Sequence, residues 1–378
     1  LLTPDGVIFI SIDDNEQANL KLICDSVFGE ENFFANVTWH KNYASANDAK
    51  AFSNVLDYIL VYQKSSLFNR NLLPRSDKQD SLYKYDNSDG KGKWRPDNLS
   101  VKTYSASYDY EIENPITGVT YNPPQGRSWM TNKDTVKRWI EEGRVFFGQK
   151  GDGAPQLKRY LNEVQQGVVP ITYWSYDDCG HNDEARKEIK ELFEKPPFDT
   201  PKPTRLINQI ITIACDKNDT ILDFFSGSGT TAHSILNLNS KDGGNRKFIM
   251  VQISEPSKVD SEAEKAGFKT LDQIGIERIK RAASKIKSET NADIDYGFKH
   301  YTLVEPSEDT IDKLEEFKDT EMFTNNDTLS LFGKDTVLET WLVKDGYGFG
   351  AKVEEVKLAD YTAYLCGKHL YFIEAGIN

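Results

Sequence analysis

The residues best suited to chemistry lie in one run, Asp223-Phe-Phe-Ser-Gly227-Ser-Gly229-Thr-Thr-Ala232, between an apolar segment and a helical one. Glycines let backbone approach a ligand closely, and a helix N-terminus offers free N–H groups and positive dipole to an anion. As a bare string, Gly227-x-Gly229-x-x-Ala232 matches the dinucleotide fingerprint. Two features favour a different ligand. Asp223 at the strand end suits an ammonium group, and the hydroxyls of Ser228, Thr230 and Thr231 suit a small carboxylate. Ammonium and carboxylate together make an amino-acid moiety, which S-adenosylmethionine carries. A plainer reading stays open: glycines for a tight turn, hydroxyls as helix caps. One strand later comes Gln252-Ile-Ser-Glu255. In nucleoside-binding α/β folds an acid at this point bonds the ribose hydroxyls. Glu255 is the candidate, with Gln252 as its substitute.

These residues need a sheet to hold them. Gly6-Val-Ile-Phe-Ile-Ser-Ile12 has the length and apolar content of a buried parallel strand. Asp13 and Glu16 have capping-box spacing, Leu20, Ile23 and Val27 recur at helical intervals, and Gly29 is a stop, so 14–28 reads as an amphipathic helix. A second strand falls at Tyr58–Tyr62, with Tyr58 and Tyr62 on one face. From about 67 to 195 the texture changes to Pro, Gly, Asn and Tyr with weak strand signals, as expected of an inserted irregular domain. The α/β grammar returns near 196. Leu206, Ile207, Ile210, Ile211 and Ala214 mark a helix entered through Pro201-Lys-Pro203, and strands are expected at 220–225 and 248–253. A helix over 274–287 carries Ile276, Ile279, Ala283 and Ile286 on one face, with Arg278, Lys280, Arg281 and Lys285 as a basic flank.

Composition bounds the reading. The chain has 378 residues, 38% apolar and 28% charged, which suits two or three folded domains. No apolar run approaches the ~18 residues of a membrane span, and nothing resembles a secretory signal. Cys24, Cys179, Cys215 and Cys366 lie far apart and the five histidines have no ligand spacing, so neither a metal site nor a disulfide framework is expected, and a reducing cytoplasm fits. The net charge of −13 is uneven: residues 291–378 carry −10, whereas 67–160 carry +4. That balance permits a polyanionic partner without establishing one.

Taken together the segments resemble the β-class DNA amino-methyltransferases, and most closely the modification subunits of type III restriction systems, which methylate adenine N6. The likeness rests on Phe198-Asp-Thr-Pro-Lys-Pro-Thr-Arg-Leu-Ile207, Ile221-Leu-Asp-Phe-Phe-Ser-Gly-Ser-Gly-Thr-Thr-Ala232 and Asp242-Gly-Gly-Asn-Arg-Lys-Phe-Ile-Met-Val-Gln252. It extends to Gly6–Glu16, Asn54–Lys64, Trp94–Leu99, Pro124–Trp129, Gly180-His-Asn-Asp-Glu-Ala185 and Glu339–Gly346. The resemblance implies a permuted Rossmann-like α/β methyltransferase sheet, incomplete at its N-terminus. Residues 1–66 would be its substrate-side strands, 67–195 an inserted target-recognition domain, 196–290 the cofactor half and 291–378 an acidic α+β module for subunit contact.

It further implies S-adenosylmethionine held by Lys202, Pro203, Thr204, Asp223, Phe224, Phe225, Ser226, Gly227, Ser228, Gly229, Thr230, Thr231, Gln252 and Glu255. Tyr58 and Tyr62 would border a flipped-base pocket, with a core role expected for at least one. Arg70, Arg75, Lys91, Lys93, Arg95 and Arg127, with Trp94 and Trp129 among them, are the candidates to meet duplex DNA. Implied partners are a restriction helicase–nuclease subunit and a second copy of the chain. The family's Asp-Pro-Pro-Tyr is absent from this sequence, which also lacks an initiator Met. The expectation is an N-terminally truncated chain with its catalytic motif upstream, inactive alone. Alternatives are a non-catalytic DNA-recognition or scaffolding subunit and a nicotinamide oxidoreductase.

Overall fold

The computed structural model describes residues 1–44, 52–303, 329–330, 332–348 and 350–374. The chain forms two compact units, Leu1–Gly297 and Phe298–Asn378.

In the first unit the apolar run near the start is strand β1 (Val7–Ile12), followed by α1 (Gln17–Phe28), β2 (Phe33–His40) and β3 (Leu56–Gln63). β3 lies antiparallel between β1 and β2. β1 therefore runs in the direction of β2 but is a half-buried edge strand with an antiparallel neighbour, a correction to the buried parallel strand expected. The capping box is also absent. Asp13 instead accepts from the Asn15 backbone and amide, and the helix starts after Glu16 without a side-chain cap. Gly29 does end α1, at φ 89°. Of the expected apolar face, Leu20 packs inward with Cys24, Leu60 and Tyr62, but Ile23 and Val27 are 58% and 67% exposed. The opposite face of the sheet buries Val37, Trp39, Ile59 and Val61 against Leu206 and Ile213.

Residues 74–168 form a separate sheeted segment. Leu73 and Val168 exchange two backbone hydrogen bonds, 2.9 and 2.8 Å, so the segment leaves and re-enters at one seam. Within it β4 (Trp94–Asn98), β5 (Val145–Phe146) and β6 (Gln156–Tyr160) make an antiparallel sheet with β6 central. Helix α2 (Lys133–Glu141) adds Val136 to its core, which also contains Leu99, Ile112, Trp129, Val145, Phe147 and Leu157. Beyond the seam, β7 (Tyr173–Trp174) pairs parallel with β2, and Trp174 and Cys179 join the core under Trp39. Helix α3 (Asn182–Phe193) follows. The body built on β1–β3 thus resumes before 195. A two-residue strand has no periodicity to announce it.

The rest of this unit includes α4 (Thr204–Ala214), β8 (Thr220–Asp223), α5 (Thr230–Asp242), β9 (Lys247–Met250) and α6 (Leu271–Thr290). β8 and β9 pair in parallel, and α5 packs against α4, β9 and α6. Among the described residues β8 has β9 as its one hydrogen-bonded neighbour, and β1 has β3, so these strands form two sheets rather than one continuous sheet.

The second unit contains α7 (Lys334–Lys344) and an antiparallel meander, β10 (Glu354–Leu358), β11 (Tyr361–Cys366) and β12 (His369–Tyr371). Leu338, Leu342, Tyr364, Cys366 and Tyr371 form its core. No helix among the described residues is long and apolar enough to cross a membrane.

Candidate active site and nucleic-acid face

The glycine-rich turn leaves β8 and opens α5 as its sequence requires. Gly227 and Gly229 stand at φ 51° and 77°, and Gly229 is the residue before the first helical turn. A Cβ on Gly229 would meet the Gly275 carbonyl at 3.0 Å, so α6 presses directly on the turn and a larger residue, strained already at this positive φ, would push the two apart. Gln252 braces the turn from just past the end of β9, its Oε1 accepting from the Gly227 N–H at 2.7 Å. It is thereby committed to backbone rather than to a ribose, while Glu255 is exposed beyond the strand.

The three hydroxyls do not face a ligand. Ser228, Thr230 and Thr231 are all buried. Thr231 donates to Asp223 Oδ2 at 2.6 Å, and Asp223 Oδ1 accepts from the Phe225 N–H at 3.2 Å. Thr230 donates to the Lys202 carbonyl at 3.3 Å. Ser228 Oγ and Thr230 Oγ1 both accept from Arg278 Nη1, at 2.8 and 2.7 Å. The expected hydroxyl cradle is thus a set of internal braces, which leaves the turn's backbone and helix N-terminus as the groups suited to an anion. Beside them Phe224 and the 81% exposed Phe225 present rings 5.2 Å apart.

Arg278 departs most from the sequence reading. It was expected on a basic flank, yet its side chain is 0% exposed. Burial holds its guanidinium down to about 10, against the pull of Glu188. Glu188, on α3, has its carboxyl raised chiefly by burial while it accepts from the Thr204 N–H and hydroxyl.

Lys202 joins the turn to the other sheet. Its carbonyl receives Thr230, and its ammonium meets Asp57 Oδ2 at 2.9 Å and lies 4.7 Å from the Trp39 ring. Asp57, at the start of β3, also takes Lys41 at 2.7 Å. Arg205 is forked onto Glu184 at 2.7 and 2.8 Å, which ties the Gly180–Ala185 motif to the helix entry at 204. At the same end of β2, His40, Tyr43, Tyr176 and His181 form an aromatic cluster, with His40–Tyr176 at 4.9 Å and Tyr43–Tyr176 at 5.2 Å. Tyr43 is largely exposed. In the sequence His40 and His181 have no ligand spacing, and dispersed aromatics carry no signal until β2 and β7 pair. Tyr62, in contrast, is fully buried with its hydroxyl on Asp25 at 2.6 Å, a core role. Tyr58 is half-buried.

The DNA candidates fall on or beside the inserted sheet. Trp94 and Trp129 are core residues, so neither is free to stack on a base. Arg75 pairs with Asp80, and Lys91 reaches the Glu142 carbonyl. Arg95 faces Arg159 directly across β4 and β6, with Asp97 between them. Lys93 is exposed, and Arg70 and Arg127 are half-buried. Among the described residues no cluster of three His, Cys, Asp or Glu could hold a metal.

Residues 1–288 match the DNA methylase family, and the chain belongs to it. Residues 332–378 match the C-terminal domain of the type III restriction-modification protein EcoP15I. Over 99% of its length the chain is 38% identical to the StyLTI type III Mod subunit of Salmonella typhimurium and 32% identical to the EcoP15I Mod subunit of Escherichia coli. It spans 61% of the length of each. The type II methyltransferase M.KpnI of Klebsiella pneumoniae is 31% identical over 74% of the chain and 70% of the relative.

Proposed function

We propose that this chain is part of a type III modification subunit that methylates adenine N6 in a short duplex-DNA target, using S-adenosylmethionine. The observation that carries the reading is Lys202: one residue receives the glycine-rich turn on its carbonyl and, through Asp57 at the start of the antiparallel β3, reaches with its ammonium the sheet edge where β1 and β2 end. Ligands of open α/β sheets bind at such strand ends. The turn's backbone and the exposed Phe224 and Phe225 rings fit an adenosylated amino acid, with Asp223 beside its ammonium position and Glu255 as the candidate for its ribose hydroxyls.

When bound, that cofactor supplies an electrophilic methyl group. The chain's own residues hold it, exclude water and receive the base. Adenine N6 is inaccessible within a base pair, so the base must be extruded. The His40, Tyr43, Tyr176 and His181 cluster offers ring faces at the strand ends, and stacking there is worth ~1–3 kcal/mol per base. Tyr58, half-buried on β3, borders that edge. The group that aligns the amino nitrogen is not assigned, since Asp-Pro-Pro-Tyr does not occur in these 378 residues.

The segment 74–168, with Lys91, Lys93, Arg95 and Arg127, is the proposed target reader; Arg70 lies just before its seam and Arg75 at its edge. A restriction helicase–nuclease subunit and a second copy of the chain are the proposed protein partners, the acidic second unit the contact, and the cytoplasm the location. The test is modified-base sequencing of DNA from cells expressing the intact protein. N6-methyladenine at one short motif is expected, and methylcytosine alone refutes the assignment. No modification, with sequence-specific DNA binding retained, supports the non-catalytic alternative.

A further inference from the structure

We propose that Arg278, acting with Glu188, is a positioning residue that shapes the cofactor turn from behind and so sets its affinity for the adenosylated amino acid. The affinity part of this inference rests on the cofactor reading above.

Four segments distant in sequence close into one ring of hydrogen bonds, a short stretch of main chain and an ion pair. Arg278 Nη1, on α6, donates to Ser228 Oγ and Thr230 Oγ1 at 2.8 and 2.7 Å. The Thr230 hydroxyl in turn donates a hydrogen bond to the Lys202 carbonyl. Two residues on, Thr204 gives its N–H and hydroxyl to Glu188, at 3.1 and 2.9 Å. Glu188 Oε2 lies 3.6 Å from Arg278 Nη2, which completes the circuit. The ring encloses the two segments that would grip the cofactor, 226–230 and 201–204, yet Arg278 itself is out of reach of solvent.

A guanidinium buried for stability alone would be an expensive choice, because an apolar pair of similar volume often serves as well or better. Its Nε and Nη2 also lack hydrogen-bond partners. What an apolar residue cannot do is hold two hydroxyls inward at once. With those hydroxyls turned away, the turn's main chain is the part left to meet a ligand. The Arg278 side chain is fully buried, and that of Glu188 is 19% exposed.

Two sets of variants separate shaping from bulk stability. Arg278→Met with Glu188→Gln removes both charges together and leaves no lone buried ion. Ser228→Ala with Thr230→Val removes the acceptors and leaves the charge pair intact. Backbone hydrogen exchange is followed by mass spectrometry over 223–232, with 56–63 as reference, and S-adenosylmethionine affinity by calorimetry. Both sets should speed exchange at 223–232 by tenfold or more, leave 56–63 unchanged, and weaken binding at least tenfold. Thr230→Ser, which keeps the hydroxyl, should behave as the unmodified chain.

Unchanged exchange at 223–232 in either set that folds overturns the proposal, as does equal acceleration in both regions. Should the charge-pair variant not fold, the hydroxyl variant decides. Failure of the unmodified chain to bind S-adenosylmethionine would count against the cofactor reading, while the exchange contrast still decides whether Arg278 shapes the turn.

Discussion

At the scale of single residues, charge type proved a poor guide to position. Arg278 reads as one cation in a basic stretch, although its four-residue spacing from Ile274 and Ala282 sets it, unlike Lys280 and Arg281, on the face that α6 buries. Only the approach of α6 to the turn, permitted by Gly275, buries it. His233, four residues after the N-cap glycine of α5, is a second such case. Its Nδ1 has no hydrogen-bond partner, and burial, helped by Arg278 and Lys285, holds the imidazole down to about 3 from 6.5. The unfolded chain therefore takes up a proton below pH 6.5 that the folded chain refuses until about pH 3. Stability is full above 6.5 and falls with pH by up to ~1.4 kcal/mol per unit. His233→Gln should remove about 2 kcal/mol of the loss between pH 7.5 and 5.0, read from urea unfolding at both. Identical losses in variant and parent would show that the imidazole titrates normally. Asp223 was legible as a strand-end acid, but its coupling to Thr231 was not. Asp223→Ala should thus weaken S-adenosylmethionine by roughly 10- to 100-fold, through a charge-assisted contact and a loosened turn, and Glu255→Ala by less. Calorimetry on the pair checks the order, and equal affinity in Asp223→Ala and parent removes the ammonium contact.

At the scale of elements, the apolar strands and the glycine turn were visible because both depend on local sequence. Runs such as Val7–Ile12 and Leu56–Gln63 have few other uses, and positive-φ positions admit little but glycine. Strand direction and neighbours were not visible, because pairing is decided by residues fifty positions apart. Two glycines measure how much of the turn's demand is conformation and how much is contact. Gly229 and Gly243 lie at the two ends of α5, at φ 77° and 65°. A Cβ on Gly243 meets open space, whereas on Gly229 it meets the Gly275 carbonyl at 3.0 Å. Gly243→Ala should cost the ~1 kcal/mol of an unfavourable backbone region alone. Gly229→Ala should cost about 3 kcal/mol and also weaken cofactor binding, since the turn or α6 must shift. Chemical denaturation of both variants gives the comparison. Equal costs would mean that α6 does not press on the turn.

At the scale of the whole molecule, sequence texture and backbone hydrogen bonding mark different boundaries. Irregular composition continues to about 195, while the fold closes its inserted segment at the Leu73–Val168 bridge. The residues after the bridge look loop-like yet supply Trp174 to the core, Glu184 to Arg205 and Glu188 to Thr204 and Arg278. This predicts two different outcomes for two chimeras of the intact protein with a relative of different target. Exchanging 74–168 moves the core of Leu99, Ile112, Trp129 and Leu157 as a unit and cuts the chain where its ends already meet. That chimera should keep S-adenosylmethionine affinity within a few-fold and methylate the donor's site. Exchanging 67–195 also replaces α3 and β7, and so sets foreign side chains against α4, α6 and the turn. Its affinity should fall at least tenfold, with a lower melting temperature, because contacting residues do not substitute independently. Calorimetry, thermal unfolding and modified-base sequencing on both constructions distinguish the cases. Retention of the parent's site by the 74–168 chimera would place target reading outside the inserted sheet, and equal cofactor affinity in the two would mean that α3 does not brace the turn.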